Sequence, residues 1–347
     1  MLQSDANRMK SFACPGGVEV IVGYFRQIKN HLVLFGDFMP QQDEQIIDFG
    51  PCPVCNAENW TLWHHGSIRN GSFDIQTEEK ARVAKCGDCG VIRLEETFCK
   101  AEEFYRSGQY RNIIGEQLGP EDFFRRHDPN QLSHLTTLKD FSFRDSVLAD
   151  IGCGAGSFLD HVNGLVDRAI AIEPGAHYHQ SLKSRGYDTF SNVSDSLQVY
   201  EGAVDFAICF SVIAHVPSPL EFLSDVRRLI KPGGILALGF DNANDLLLAI
   251  LPEIYPSFYY RTFHRWYFDA PAFLNCANRA GFGEIEFRYV QHYDLSNAMQ
   301  WLRNKQPSGI EKLPHLDDSV LNSNWRSCLQ SNQVSNYVIA VLHNPAN

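Results

Sequence analysis

The chain has 347 residues, 44% of them apolar and 20% charged, a balance that suits a folded globular protein with a full-sized core. Its formal net charge of −11 disfavours a nucleic-acid backbone as the main partner, because such a partner needs clustered Lys and Arg. No apolar run approaches the roughly eighteen residues of a membrane span, and Met1 to Lys10 lacks the apolar segment of a signal peptide, so a cytoplasmic setting without a membrane partner is expected.

Residues 1–45 contain two short strand patterns, Val18 to Val22 and His31 to Phe35, and read as an arm or hairpin. Residues 46–100 have a different texture. Cys52-Pro-Val-Cys55 and Cys86-Gly-Asp-Cys89 form two CxxC turns about thirty residues apart. Each pair can offer two thiolates to one tetrahedral cation, and four thiolates leave no open position, which is the pattern of a structural Zn2+ site. Without an export signal, metal ligation suits these cysteines better than disulfides. A redox role needs only one pair, and His64 or His65 could stand in as a ligand. Four unrelated cysteines are the plainer alternative. Strands are predicted around 83–85 and 91–94, with a polar middle containing Trp60, Trp63 and His64.

Residues 101–145 read as a polar helical connector. Helices start near Glu102 and Pro120, and Gln131 to Phe141 carries Leu132, Leu135 and Leu138 at helical spacing. His127-Asp128-Pro129 reads as a helix start, with a catalytic role as the alternative.

From residue 146 to 347 the pattern alternates strand and helix, as in a doubly wound α/β sheet. Strands are predicted at 147–151, 168–172, 187–190, 204–210 and 234–240, and helices at 156–164, 176–185 and 219–230. Lys231-Pro-Gly-Gly234 is expected to break the chain before the fifth strand. An aromatic insertion at 250–270, a helix at 271–280, a strand at 284–290, a polar insertion at 291–334 and a closing strand at 336–342 follow.

The first of these strands runs into Asp150-Ile-Gly-Cys-Gly-Ala-Gly156 and then a helix. Glycines suit such a turn because they tolerate unusual dihedrals and let a ligand approach the backbone. A dinucleotide asks for Gly-x-Gly-x-x-Gly, but here Ser157 holds the last position and the glycines are one residue tighter. Asp150 would repel a pyrophosphate and suit a cation. Glu173 ends the second strand, where an acid can take ribose hydroxyls. S-adenosylmethionine, a sulfonium and an amine without phosphate, fits these features; an ordinary strand–helix turn without a ligand is the alternative.

These residues, with Asp205-Phe-Ala-Ile-Cys-Phe-Ser-Val212 and Lys231-Pro-Gly-Gly-Ile-Leu236, resemble the class I S-adenosylmethionine-dependent methyltransferase family over about 145–290 and 335–342. The resemblance implies an α/β fold. Its Rossmann-like, doubly wound, seven-stranded sheet would have an antiparallel last strand, with a small zinc-ribbon domain in front. It implies that Asp150, Gly152, Cys153, Gly154 and Gly156 hold the methionine part, Glu173 the ribose and Asn192 the adenine, with Phe210 also at the cofactor. Similar enzymes often read Val-x-Glu-His after the fourth strand; here Ala214 replaces the Glu and His215 remains. His215 can line the transfer site or simply be satisfied by backbone.

A zinc module before such a domain resembles small-molecule methyltransferases of sugar and natural-product pathways. His264, Tyr267 and Phe268 resemble the His-x-x-Tyr-Phe stretch of zinc-bearing deoxysugar methyltransferases, with Phe263 in place of their Glu. The surrounding stretch Ile254 to Phe268 lies beyond the carboxyl ends of the strands, where ligands bind, and is aromatic with a few cations; a packed aromatic cap is the alternative. Gln291 to Arg303 and Lys305 to Gly309 also look like stretches of bacterial carbohydrate-pathway methyltransferases and either complete the pocket or form a surface helix and turn.

The expected function is methyl transfer from S-adenosylmethionine to a small-molecule acceptor, a sugar or nucleotide-sugar of carbohydrate biosynthesis. His264, or else His215, would be the general base, with Tyr267 beside it, since a histidine titrates near neutrality. An RNA-base methyltransferase with a zinc module, an NAD-type oxidoreductase and a non-catalytic binding protein are the alternatives. The acceptor atom and the oligomeric state stay open at this level.

Overall fold

The computed structural model describes residues 45–117, 119–307 and 311–346; the arm or hairpin expected over 1–45 falls outside them but for Gln45. The chain first builds a small antiparallel sheet from β1 (Ile46–Ile47), β2 (Trp60–Gly66), β3 (Ala81–Cys86) and β4 (Ile92–Leu94). Strand β2 occupies the stretch expected to be a polar middle. Its Thr and His side chains look polar in sequence, yet Trp60 is fully buried and the backbone pairs with β3 from Trp60↔Cys86 to Gly66↔Ala81.

Two five-residue helices, Glu102–Arg106 and Gln109–Ile113, lead to one long helix, Pro120–Thr137. Pro129 therefore lies inside a helix and does not start one. It forgoes a hydrogen bond to the preceding turn, a cost the flanking helix absorbs. The expected separate helix over Gln131 to Phe141 is the second half of this element.

The large sheet contains β5 (Val147–Ile151), β6 (Arg168–Ile172), β7 (Asp188–Phe190), β8 (Val204–Phe210) and β9 (Ile230–Asp241), all parallel. Strand β9 is longer than expected. Lys231-Pro-Gly-Gly234 does not end the pairing but bulges within it: Val204 faces Ile230, and Phe206 already faces Ile235. Lys231 pairs with Asp205, and Gly233, with φ of 79°, turns the bulge.

The chain then leaves the large sheet. Strand β10 (Trp266–Tyr267), from the aromatic insertion, pairs with β4, so the small sheet expected from residues 46–100 alone is completed by a distant segment. Strand β11 (Ile285–Val290) and the last strand, β12 (Tyr337–His343), close the large sheet. Its order is β11-β12-β9-β8-β5-β6-β7, with β12 antiparallel to both neighbours. Residues of β8 and β12, and Leu236 to Phe240 of β9, are almost entirely buried on both faces, as strands covered by helices on both sides must be.

Strand β5 lies between β6 and β8, which places the switch in strand order there. The crevice outside the carboxyl ends at such a point is where open α/β sheets bind ligands. Among the described residues no helix is long and apolar enough to cross a membrane.

Candidate functional site

The four expected cysteines converge. The Sγ atoms of Cys52, Cys55, Cys86 and Cys89 lie within 4.8 Å of one another, with Cys52 to Cys89 at 3.6 Å and Cys55 to Cys86 at 3.5 Å. A tetrahedral zinc with bonds of about 2.3 Å has sulfur–sulfur edges of about 3.8 Å, so the group fits the ion. Both turns are built alike. Asn56 N–H donates to the Cys52 carbonyl and Gly90 N–H to the Cys86 carbonyl, and Asn56 and Gly90 both have positive φ. His64 and His65 are not part of the cluster, and the His64 ring stacks on Tyr260 instead.

The glycine turn sits at the switch point, between the ends of β5, β6 and β8. Gly152, Gly154 and Gly156 have φ of 76°, 55° and 89°, which only glycine adopts freely. A Cβ would also collide with Val212 at Gly152 and with the Phe123 ring at Gly154. The Glu173 carboxylate receives the Gly154 N–H at 2.8 Å and the Gly175 N–H at 2.7 Å. Asp150 is buried below the turn, and burial, with the nearby charge of Glu173, raises its carboxyl to about 8. Among the described residues no basic side chain pairs with Asp150. Two buried carboxyls with no cation on the inner one fit a positively charged ligand, as the donor's sulfonium and amine require.

Of the other expected cofactor residues, Cys153 lies buried in the turn itself, while Phe210 and Asn192 stand at the carboxyl ends of β8 and β7. Phe210 ends β8 with the His134 ring stacked on it at 4.0 Å. Asn192 caps the Val193–Tyr200 helix by accepting the Asp195 N–H at 2.8 Å, so its carbonyl oxygen has a structural task. Ser157, which takes the place of a dinucleotide-type glycine, donates its hydroxyl to Asp128.

A cavity of about 280 Å³ opens past the carboxyl end of β9, two strands from β5, walled by Arg69, Tyr110, Asp241, Asp245, Phe258 and Arg261 among others. Asp241 is the last residue of β9 and pairs with Arg261. Asp245 accepts the Leu247 N–H and the Tyr255 hydroxyl, and burial raises it to about 7. His264, His215 and Tyr267 do not line this cavity; they form the layer behind it. His264 is buried, with Nδ1 otherwise unpartnered and 3.7 Å from the Asp241 carboxylate. His215 lies against the Phe263 carbonyl through Nδ1 at 2.5 Å, which makes Nδ1 the protonated nitrogen and leaves Nε2 its lone pair. The two rings meet edge to face at 4.7 Å. Burial keeps both neutral, lowering His215 to about 4 and His264 well below its usual value. The Tyr267 hydroxyl receives the Arg261 N–H and so shapes the insertion.

Sequence reasoning missed Asp241, Arg69 and Tyr110. Asp241 carried a usable signal, since it directly follows the strand predicted over 234–240, at the sheet's carboxyl edge. Arg69 and Tyr110 reach the cavity only through tertiary folding.

Residues 124–286 match the family described as a methyltransferase domain. The chain carries a class I S-adenosylmethionine-dependent methyltransferase domain. It is 29% identical over 117 residues to a ubiquinone biosynthesis O-methyltransferase of Thiobacillus denitrificans, covering 30% of this chain and 50% of that protein. It is 32% identical over 99 residues to a human thiol S-methyltransferase, covering 26% and 40%. The chain thus spans about half the length, or less, of these curated relatives. Among solved structures, a methyltransferase of Thermotoga maritima described as a possible histamine N-methyltransferase aligns with a TM-score of 0.44 at 19% identity, covering 65% of this chain and 93% of that one. The matched span of the methyltransferase domain includes the glycine turn, Glu173 and Asp241; the cysteine cluster and Arg69 precede it.

Proposed function

We propose that the protein is an S-adenosylmethionine-dependent methyltransferase whose acceptor is a small molecule, a sugar or nucleotide-sugar, held in the cavity past the carboxyl end of β9. The observation that carries this reading is the glycine turn with its two buried carboxyls at the switch point of the sheet. When bound, the donor supplies a methyl carbon on a cationic sulfonium.

The chain's own work is binding and alignment, which contributes much of the acceleration in a displacement of this kind. Asp150 and the turn of Gly152, Cys153, Gly154 and Gly156 hold the cationic end. Glu173 takes the ribose, and Asn192 and Phe210 border the adenine. His264 is the general base, with Asp241 between it and the cavity at 3.7 Å. A proton released by an acceptor hydroxyl would pass to the Asp241 carboxylate, which lines the cavity, and from there to the neutral His264 ring behind it. His215 and Tyr267 support the aromatic insertion that carries it. In this reading residues 46–100 are the zinc-bearing module, 101–145 the connector and 146–347 the catalytic domain.

The test uses the full chain. Calorimetry with S-adenosylmethionine and with NADH separates donor from dinucleotide, and the first is expected to bind. Mass-shift screening of sugars and nucleotide-sugars with the donor then looks for a methylated product; none from either class would remove that acceptor assignment. His264→Ala is expected to bind the donor and to lose about a hundredfold or more in turnover. Wild-type turnover in that variant would remove His264 from the base role.

A further inference from the structure

Arg69 is the buried cation that the cavity leaves unmatched. It lies between β2 and β3, is 5% exposed, and lines the cavity wall. Its backbone is fixed from both sides: Arg69 N–H donates to the Tyr260 carbonyl, and Thr262 N–H donates to the Arg69 carbonyl, each at 3.0 Å. The side chain is therefore held in one direction. Its guanidinium carbon lies 4.5 Å from the centre of the Phe258 ring, 5.5 Å from Phe73 and 5.8 Å from Phe263. These rings stabilise a cation through their faces but offer no lone pair to its N–H groups. Among the described residues no carboxylate pairs with Arg69, and its Nε has no hydrogen-bond partner.

The other charges at the wall are accounted for. Asp241 is matched by Arg261. Asp245 already accepts from Leu247 and Tyr255, and its burial favours the neutral form. What remains is one guanidinium, with Arg261 as a like charge nearby. Burial and that neighbour lower Arg69, to about 9, against a smaller opposing pull from Asp241, which already pairs with Arg261, so Arg69 stays protonated at neutral pH. A buried cation in this position is matched when an anion enters the cavity.

We infer that the acceptor carries a compact anionic group, a carboxylate or a phosphate, that binds the Arg69 guanidinium. This rests on the reading of the cavity as the acceptor site. It makes Arg69 a specificity-determining residue supplied by the zinc-bearing sheet, from outside the methyltransferase domain. The planar fork of an arginine suits both anions, since each can accept two parallel N–H bonds. Within the proposed acceptor class this narrows the choice to a sugar acid, a sugar phosphate or a nucleotide-sugar, because a neutral sugar of the same size would leave the charge unmatched.

The experiment titrates the full, zinc-loaded chain with inorganic phosphate, with glycolate, and with ethylene glycol as the neutral counterpart of glycolate. Wild type, R69Q and R69K are compared by calorimetry, with S-adenosylmethionine affinity measured on each sample as the fold control. The wild type is expected to saturate with phosphate or glycolate and not with ethylene glycol, and the tighter anion identifies the group. R69Q is expected to bind that anion about tenfold or more weakly, with R69K between the two. Equal binding by wild type and R69Q, or no saturation by either anion up to about 50 mM, overturns the inference. If R69Q also loses the donor, R69K decides, and wild-type anion affinity in it overturns the role of the fork. Failure of the wild type to bind S-adenosylmethionine would count against the donor reading alone, because Arg69-dependent anion binding would still stand.

Discussion

The Glu173 carboxylate accepts the Gly154 N–H across 2.8 Å, tying the end of β6 to the turn that follows β5. Its other oxygen accepts the Gly175 N–H, so the acid is oriented by two backbone donors before any ligand arrives. Such orientation leaves the remaining lone pairs in fixed directions, which is what recognition of paired hydroxyls needs.

Glu173→Gln tests this arrangement. The amide keeps one acceptor oxygen and turns an NH2 group toward the second backbone N–H, so one charge-assisted bond is lost and a donor faces a donor. Hydrogen bonds to charged groups contribute about 1.5–3 kcal/mol, so S-adenosylmethionine affinity should fall roughly ten- to a hundredfold by calorimetry. An unchanged affinity would detach Glu173 from the donor site.

Gly154→Ala strikes the same turn through sterics. The residue needs φ of 55°, and the new methyl group meets the Phe123 ring. Left-handed strain and overpacking together should cost about 1–3 kcal/mol, read as a lower urea midpoint with an unchanged slope. Donor affinity should drop as well, because Phe123 must move off the cradle. A variant as stable as the wild type would mean that the turn relaxes freely.

The large sheet was legible in the sequence because its strands are covered on both faces and so read as uninterrupted apolar runs. Residues 147–151, 168–172 and 204–210 are strands within the predicted limits. The failures share a cause. Lys231 to Gly234 looked like a break because Pro and Gly are local signals, whereas pairing of Ile230 with Val204 and of Gly233 N–H with the Asn344 carbonyl holds the segment from outside. Trp60–Gly66 looked polar because its pairing partner, Ala81–Cys86, supplies the burial. The cysteines were legible by spacing alone. Arg69 was not, since its hydrogen-bonded neighbours Tyr260 and Thr262 are far along the chain.

Metal removal should separate the two halves of the site. The full chain is expected to bind one zinc per molecule, and the free energy of such four-thiolate sites, about 10–16 kcal/mol, is comparable to a domain's whole stability. Chelation, or Cys86→Ser, should therefore unfold the small sheet. Trp60 is fully buried, and its Nε1 donates to the Gly50 carbonyl at 2.7 Å, so its fluorescence should shift to the red. Strand β10 belongs to that sheet, so the cavity wall at Arg261 and Phe263 should loosen with it. The glycine turn lies in the other sheet but shares an apolar core with the small one, so donor affinity should fall by less than the anion affinity of the cavity. Equal loss of donor binding on chelation would show that the two sheets fold as one unit.

Donor affinity should also depend on pH through Asp150. Burial, and then the charge on Glu173, raise this carboxyl to about 8 in the free protein, against about 3.9 in an unfolded chain. The folded state therefore holds a proton that the unfolded state releases, and this contribution to stability is present at low pH and lost as pH rises through about 8. A cation bound beside Asp150 favours the ionised form, so binding expels the proton. Affinity for S-adenosylmethionine should then tighten as pH rises from about 6 toward 8, by up to tenfold per unit. Above about 8 the donor's own amine begins to lose its charge, which confines the test to the lower range. Asp150→Asn should bind more weakly at every pH and lose the slope. Calorimetry in buffers of different ionisation enthalpy would count the proton directly: one released by the wild type and none by the variant is the expected result. A flat profile in the wild type would place the cationic end of the donor away from Asp150.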